Sequence, residues 1–191
     1  MKKIALFASG SGTNAENIIR YFEGNADVEV ALVVSNKSEA FVHERAQRLG
    51  VPSVTHTNAE FRESMSVLYT LNNFGIDFVA LAGFMYLLPP AIIDTYRNRI
   101  VNIHPSLLPK YGGKGMYGHH VHEAVVAAGE KQSGITIHYV DKHYDEGDIV
   151  FQAKCEVLPT DTPADVERKI HQLEYLHYPR VIESILKEKG G

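Results

Sequence analysis

Four short apolar runs, Lys3–Ala8, Val28–Ser35, Asp77–Ala82 and Ile100–Ile103, constrain this chain more than any other feature. Each is near-continuous rather than alternating, the pattern of a strand covered on both faces. Between them lie segments of helical spacing. One runs from Asn14 to about Phe22, with Ile18, Ile19 and Phe22 on one side. Another places Phe41, Ala46 and Leu49 on one side, and Gly50 closes it. Pro52–His56 reads as a third strand, and Phe61–Phe74 as a helix ending at Gly75. Strands alternating with helices predict a parallel sheet with helices on both faces. Further on, His122–Ala128 has helical spacing, and Ser133–Val140 and Ile149–Val157 read as strands. Thr160 or Asp161 can cap a final helix running to about Lys189. With 191 residues and 45% hydrophobic content, the expectation is one doubly wound α/β domain spanning residues 1–191, with a mixed sheet in its carboxyl-terminal part.

A formal charge of −4 with scattered basic residues argues against nucleic acid as a partner. The apolar run after Lys2 and Lys3 meets Gly10-Ser11-Gly12 too soon for a signal peptide, and no long apolar segment follows, so no membrane role is expected. The lone cysteine, Cys155, excludes an intrachain disulfide and suits a reducing cytoplasm. It sits in a strand-like run, where a packed thiol is expected rather than a nucleophile. Nothing in the sequence bears on oligomeric state.

The chemistry concentrates at Val101–Pro109, reading Val-Asn-Ile-His-Pro-Ser-Leu-Leu-Pro. Asn102 and His104 are two apart, so an extended strand projects them from one side. Pro105 cannot donate to a sheet ladder and ends the strand there. The result is an amide donor beside an imidazole at a strand's carboxyl end, where open α/β sheets bind ligands. Asn102 can donate to a developing oxyanion, and His104 can act as acid, base or electrostatic stabiliser. The loop between the last two strands supplies Asp141, Asp145, Glu146 and Asp148. A carboxylate from it beside His104 would orient the ring and raise its pKa, but patterning does not select which one. The ten histidines include a cluster at His119, His120 and His122, followed by His138 and His143. None has zinc-site spacing, so no metal is expected.

Gly10-Ser-Gly12-Thr-Asn-Ala15 follows the first strand and opens a helix, an arrangement suited to an anion. A dinucleotide site would also carry an acid after the second strand, where this chain has Ser35-Asn36-Lys37. A phosphate monoester at Gly12, Thr13 and Asn14 is the better reading. The alternative is a tight turn in which Thr13 or Asn14 caps the helix.

These motifs, in this order, resemble the phosphoribosylglycinamide formyltransferase family. The resemblance covers nearly the whole chain. It runs through Ser9–Asn14, Ser35–Lys37, Leu81-Ala-Gly-Phe-Met85, Asn102–Pro109, Gly134-Ile-Thr-Ile-His138, Asp145-Glu-Gly147, and Glu174 with Tyr178-Pro179. The Asn102–Pro109 stretch is highly specific for the formyltransferase superfamily, and the glycine turn alone is not.

The resemblance implies a Rossmann-like formyltransferase fold. It also implies transfer of a formyl group from 10-formyltetrahydrofolate to the amine of glycinamide ribonucleotide in purine biosynthesis, without a metal. By position it makes Asn102, His104 and Asp145 catalytic. Gly12, Thr13 and Asn14 would hold the substrate's phosphate, and Glu174 would contact its ribose. Arg62, Met85, Tyr86, Leu87, Leu88, Asn102, Val140 and Asp141 would line the folate side. Asn102 and a protonated His104 would stabilise the tetrahedral oxyanion, with Asp145 keeping His104 charged. Relatives that hydrolyse the folate usually add an amino-terminal domain, and those acting on initiator tRNA or sugar nucleotides a carboxyl-terminal one. The expectation here is therefore the glycinamide transferase. The chain departs from the family at Tyr111-Gly-Gly-Lys-Gly-Met-Tyr-Gly118, which is longer than the usual Pro-Gly link to the His-x-His pair matched by His120 and His122.

Overall fold

The computed structural model describes residues 1–143 and 145–188. Seven strands are hydrogen-bonded in the order β3-β2-β1-β4-β5-β6-β7. They are β1 (Lys2–Phe7), β2 (Val28–Ser35), β3 (Ser53–Thr55), β4 (Phe78–Leu81), β5 (Ile100–His104), β6 (Gln132–Tyr139) and β7 (Ile149–Glu156). The helices are α1 (Thr13–Phe22), α2 (Val42–Arg48), α3 (Asn58–Glu63), α4 (Met65–Asn73), α5 (Pro90–Thr95), α6 (His119–Ala127) and α7 (Pro163–Glu188). By internal contacts the chain divides into two compact units. One is Met1–Val101 with the stretch beginning at Ile182, and the other is Asn102–Val181. The doubly wound, mostly parallel sheet expected from the apolar runs is present.

In the first unit β1 pairs in parallel with both β2 and β4, and β2 with β3. Ile4, Leu6 and Phe7 of β1 and Leu32, Val33 and Val34 of β2 are wholly buried, as runs without polar alternation require. The helix expected over Phe61–Phe74 is instead two helices, broken at Ser64. Ser64 adopts φ 67° and its hydroxyl donates back to the Phe61 carbonyl at 3.0 Å, a side-chain bond that competes with helix continuation. The break lets Phe61 pack edge-on to Phe7 at 5.8 Å between ring centroids, and against Phe84 at 5.0 Å. Helix α5, absent from the reading of the sequence, begins with Pro90 in its first turn, where a missing N–H costs nothing.

In the second unit β6 and β7 form an antiparallel pair. Gly134 is required there, since a Cβ would overlap the Ala153 carbonyl across the ladder. The start of α7 differs from both candidate caps. Thr162 takes that place: its N–H donates to Asp165 at 2.9 Å and its Oγ1 accepts from the Asp165 N–H at 3.2 Å, a reciprocal capping pair just before Pro163. Asp161 accepts instead from Lys169. The expected helix end at Lys189 lies outside the described residues. Helix α6 begins at His119, three residues before the expected His122. Among the described residues no helix is long and apolar enough to cross a membrane.

Candidate active site

The cluster at the end of β5 is built within the second unit. Strand β5 stops at His104, ahead of Pro105. The side chain of Asn102 reaches His138 at the end of β6, that of His104 reaches Asp145 in the following loop, and His138 and Asp145 face each other. His104 Nδ1 lies 3.5 Å from Asp145 Oδ2, and His138 Nε2 lies 3.6 Å from Asp145 Oδ1. Of the four candidate acids, Asp145 is the one that faces His104.

His138 Nδ1 is 2.9 Å from the Tyr139 carbonyl, which accepts its proton. Its Nε2 lies 3.3 Å from the Asn102 amide nitrogen and also faces Asp145, so the ring stands between the two side chains. The Asn102 amide is thereby held beside the ring with an N–H to donate.

Gly147 allows the loop to reach this point, since a Cβ there would overlap the Tyr139 carbonyl. Asp145 itself sits at φ 55°, a conformation that an aspartate tolerates better than most residues. Its Oδ2 accepts from the Gly113 N–H at 3.0 Å. The loop after Pro109 also supplies the Tyr111 carbonyl, which accepts from His104 Nε2 at 2.7 Å. Tyr111 is held in turn by its hydroxyl donating to Glu130 at 3.0 Å.

Burial sets the electrostatics. His104 is only 4% exposed, and the loss of water outweighs both Asp145 and the Tyr111 carbonyl, so its pKa falls below the ordinary imidazole value. The expectation that a neighbouring carboxylate leaves the imidazole pKa raised is therefore corrected. Asp145 does pull upward, but less than burial pulls down. Burial pushes Asp145 the other way, yet its hydrogen bond to His138, the charge of His104 and the Gly113 N–H together hold its carboxyl below the ordinary range.

Glu174, on α7, is 5% exposed, and His171 Nδ1 donates to its Oε2 at 2.9 Å. That bond raises the His171 pKa against its burial. In the His-x-His pair, His120 is exposed while His122 is buried, with its pKa lowered by desolvation. Val140 and Asp141 are half-buried just beyond β6, and Asp141 accepts from the His143 N–H at 2.8 Å. Among the described residues no group of three or more His, Cys, Asp or Glu side chains is arranged to hold a metal ion. Cys155 is half-buried on β7, and burial raises its thiol pKa.

The glycine turn lies in the first unit. Gly12 is the residue before α1, at φ 73°, and a Cβ there would overlap Val42. Neither Thr13 nor Asn14 caps the helix, because Gly12 occupies that place. Helix α1 presents its first-turn amides beyond the turn, the arrangement that favours an anion. Arg45 braces the turn, its Nε donating to the Ser11 carbonyl at 2.7 Å and its Nη1 to Glu16. Of the residues expected on the folate side, Arg62 is exposed on α3, and Met85 and Leu87 are exposed in the loop after β4. Tyr86 packs its ring 6.0 Å from Phe61, the neighbour of Arg62. Leu88 is 2% exposed.

His138, Tyr111 and Gly113 were not among the expected site residues. Thr136 and His138 alternate with apolar Ile135 and Ile137 on a strand buried on both faces, and that is the signal pointing to His138. Tyr111 and Gly113 act through backbone atoms, for which residue type gives no signal.

The formyl transferase family model matches residues 2–182. A phosphoribosylglycinamide formyltransferase of Bacillus subtilis (strain 168) is 38% identical over 191 residues, covering 97% of this chain and 95% of the relative. A chloroplastic phosphoribosylglycinamide formyltransferase of Vigna unguiculata is 39% identical over 98% of this chain, which spans 62% of that longer relative. The crystal structure of glycinamide ribonucleotide transformylase 1 from Symbiobacterium toebii superposes with a TM-score of 0.89 at 35% identity, covering 98% of this chain and 89% of that one. On sequence and fold together, the chain belongs to the formyl transferase family, among the phosphoribosylglycinamide formyltransferases.

Proposed function

We propose that this chain acts as one formyltransferase domain in the cytoplasm. It transfers the formyl group of 10-formyltetrahydrofolate to the primary amine of glycinamide ribonucleotide in purine biosynthesis. Its partners are these small molecules, with neither nucleic acid nor membrane among them. The observation that carries the reading is the grouping of buried His104 and His138 with half-buried Asn102 and Asp145 at the carboxyl end of β5 in a member of this family.

Gly12, Thr13 and Asn14 bind the phosphate, and Glu174 receives the ribose hydroxyls. Arg62, Met85, Tyr86, Leu87, Leu88, Val140 and Asp141 border the folate, Leu88 through its backbone. The amine nitrogen attacks the formyl carbon, and the carbonyl electron pair moves to oxygen. The free N–H of the Asn102 amide group donates to that oxygen as charge develops. Removing one such donor typically costs on the order of a hundredfold in rate. His104 is largely neutral before substrate arrives, because burial disfavours its charge. The growing oxyanion offsets that burial cost, as does Asp145, so the imidazolium is held while the intermediate lasts. The proton released by the attacking nitrogen goes to this His104–Asp145 pair. It returns to the folate nitrogen as the carbon–nitrogen bond breaks. No protein nucleophile takes part.

Purified protein should consume 10-formyltetrahydrofolate only when glycinamide ribonucleotide is present. Equal consumption without the amine would replace transfer by hydrolysis. No consumption in either case would leave a binding protein.

A further inference from the structure

The Ser35-Asn36-Lys37 segment has no part in the proposed chemistry, although it occupies the place where a dinucleotide protein would hold a ribose. In the first unit Asn36 is committed inward instead. Ser9, the residue that opens the glycine turn, is 4% exposed, and its hydroxyl donates to Asn36 Oδ1 at 2.6 Å. The same hydroxyl accepts from the Met85 N–H at 2.7 Å, and the Ser9 N–H donates to the Gly83 carbonyl at 2.9 Å. Asn36 Nδ2 donates onward to Asn58 Oδ1 at 2.8 Å. Asn58 is the first residue of α3, the helix that carries Arg62.

The hydroxyl of Ser9 has one proton to give, and here it gives it to Asn36 while receiving one from Met85. Its orientation is thus set from both sides. The relay ties the entry of the glycine turn to the backbone of the Met85–Leu88 loop, and through Asn36 to α3. A bond chain of this kind polarises along its length, and breaking one link loosens the others. The first of the joined segments is the proposed phosphate turn, and the other two border the proposed folate site.

We propose that Ser9 and Asn36 are positioning residues that couple the two substrate sites: ordering the glycine turn on glycinamide ribonucleotide also orders the Met85 loop and α3 for the folate. The inference rests on the functional reading above. Coupling between sites is reciprocal, so each ligand should tighten the other by the same factor.

The dissociation constant of glycinamide ribonucleotide is measured calorimetrically, alone and with saturating tetrahydrofolate, which carries no formyl group to transfer. In the wild-type protein tetrahydrofolate should tighten it about fivefold or more. Asn36→Ala, at a half-buried surface position, should bring the factor close to one while each ligand still binds alone. Asn36→Asp should keep most of the factor, because a carboxylate still accepts from Ser9 and the Asn58 amide can turn to donate to it. A merely structural role would lower the melting temperature of both variants and leave the factor intact. A wild-type factor of one, or an unchanged factor in Asn36→Ala, would overturn the coupling. Absence of any wild-type binding would overturn the functional reading itself, and is recognised because no variant is needed to see it.

Discussion

The glycine turn and the His104 cluster solve opposite problems. Around Gly10–Asn14 none of the residues ionises, and the charges beside them are paired. Arg20 and Arg45 favour Glu16 as a carboxylate, and the Arg45 Nε–H donates to the Ser11 carbonyl. The shape of the turn comes from a left-handed glycine pressed against Val42. Around His104 the groups are ionisable and buried, and their partners oppose the effect of burial. Burial lowers the His104 pKa while Asp145 raises it, and burial raises the Asp145 pKa while two histidines and an amide lower it. A site that only recognises an anion is served by a fixed shape with balanced charge. A site that must pass a proton is served by groups held near the point where charge changes hands.

Changes in one region should leave the other intact, and the largest effect belongs to the cluster. His104→Ala should lower kcat by on the order of a hundredfold or more. Its affinity for glycinamide ribonucleotide, measured without folate, should stay within about twofold. Lost affinity with kcat retained would place His104 in binding.

Asp145→Asn should cost kcat on the order of tenfold to a hundredfold, and the His104 ring, followed by NMR, should titrate lower still. An upward shift would show that Asp145 does not raise the His104 pKa. The stability consequence has a definite sign. The depressed Asp145 pKa contributes stability that is full above about 3.9, the unfolded carboxyl value, and is lost as pH falls through the lower folded value. His104, also depressed, costs stability as pH falls below about 6.5, where the unfolded chain takes up the proton first. Chemical denaturation across that range should show both losses, and the Asp145 component should disappear in the Asn variant.

Gly12→Ala forces a side chain into a left-handed conformation and into Val42. It should destabilise the protein by about 2–4 kcal/mol and weaken binding of glycinamide ribonucleotide, with the His104 titration unmoved. A shifted His104 would mean that the two regions are not independent. The smallest effect is expected for Cys155→Ser, whose kcat should stay within about twofold because the proposed transfer calls on no thiol.

The sheet was readable because strands buried on both faces leave near-continuous apolar runs, and Asn102-x-His104-Pro105 was readable because a strand end needs no such residues for packing. Resemblance to a family singled out Asp145 from its neighbours, which local patterning left equivalent. The break at Ser64 was hidden because the packing that accompanies it, Phe61 against Phe7, joins residues far apart in sequence. The caps at Gly12 and Thr162 were each missed by one or two positions, since several residues in both places can accept an amide. The direction of the His104 pKa could not be read from residue types, because it depends on how completely the ring is buried.

The central claim, direct transfer within the His104 cluster, is tested most sharply with 10-formyltetrahydrofolate carrying carbon-13 in its formyl group. Incubated with enzyme and glycinamide ribonucleotide, the label should appear in the new amide of the product. None should appear as formate, and intact-protein mass spectrometry should find no formyl group on the chain. Label released as formate in the presence of saturating amine, or trapped on the protein, would contradict it.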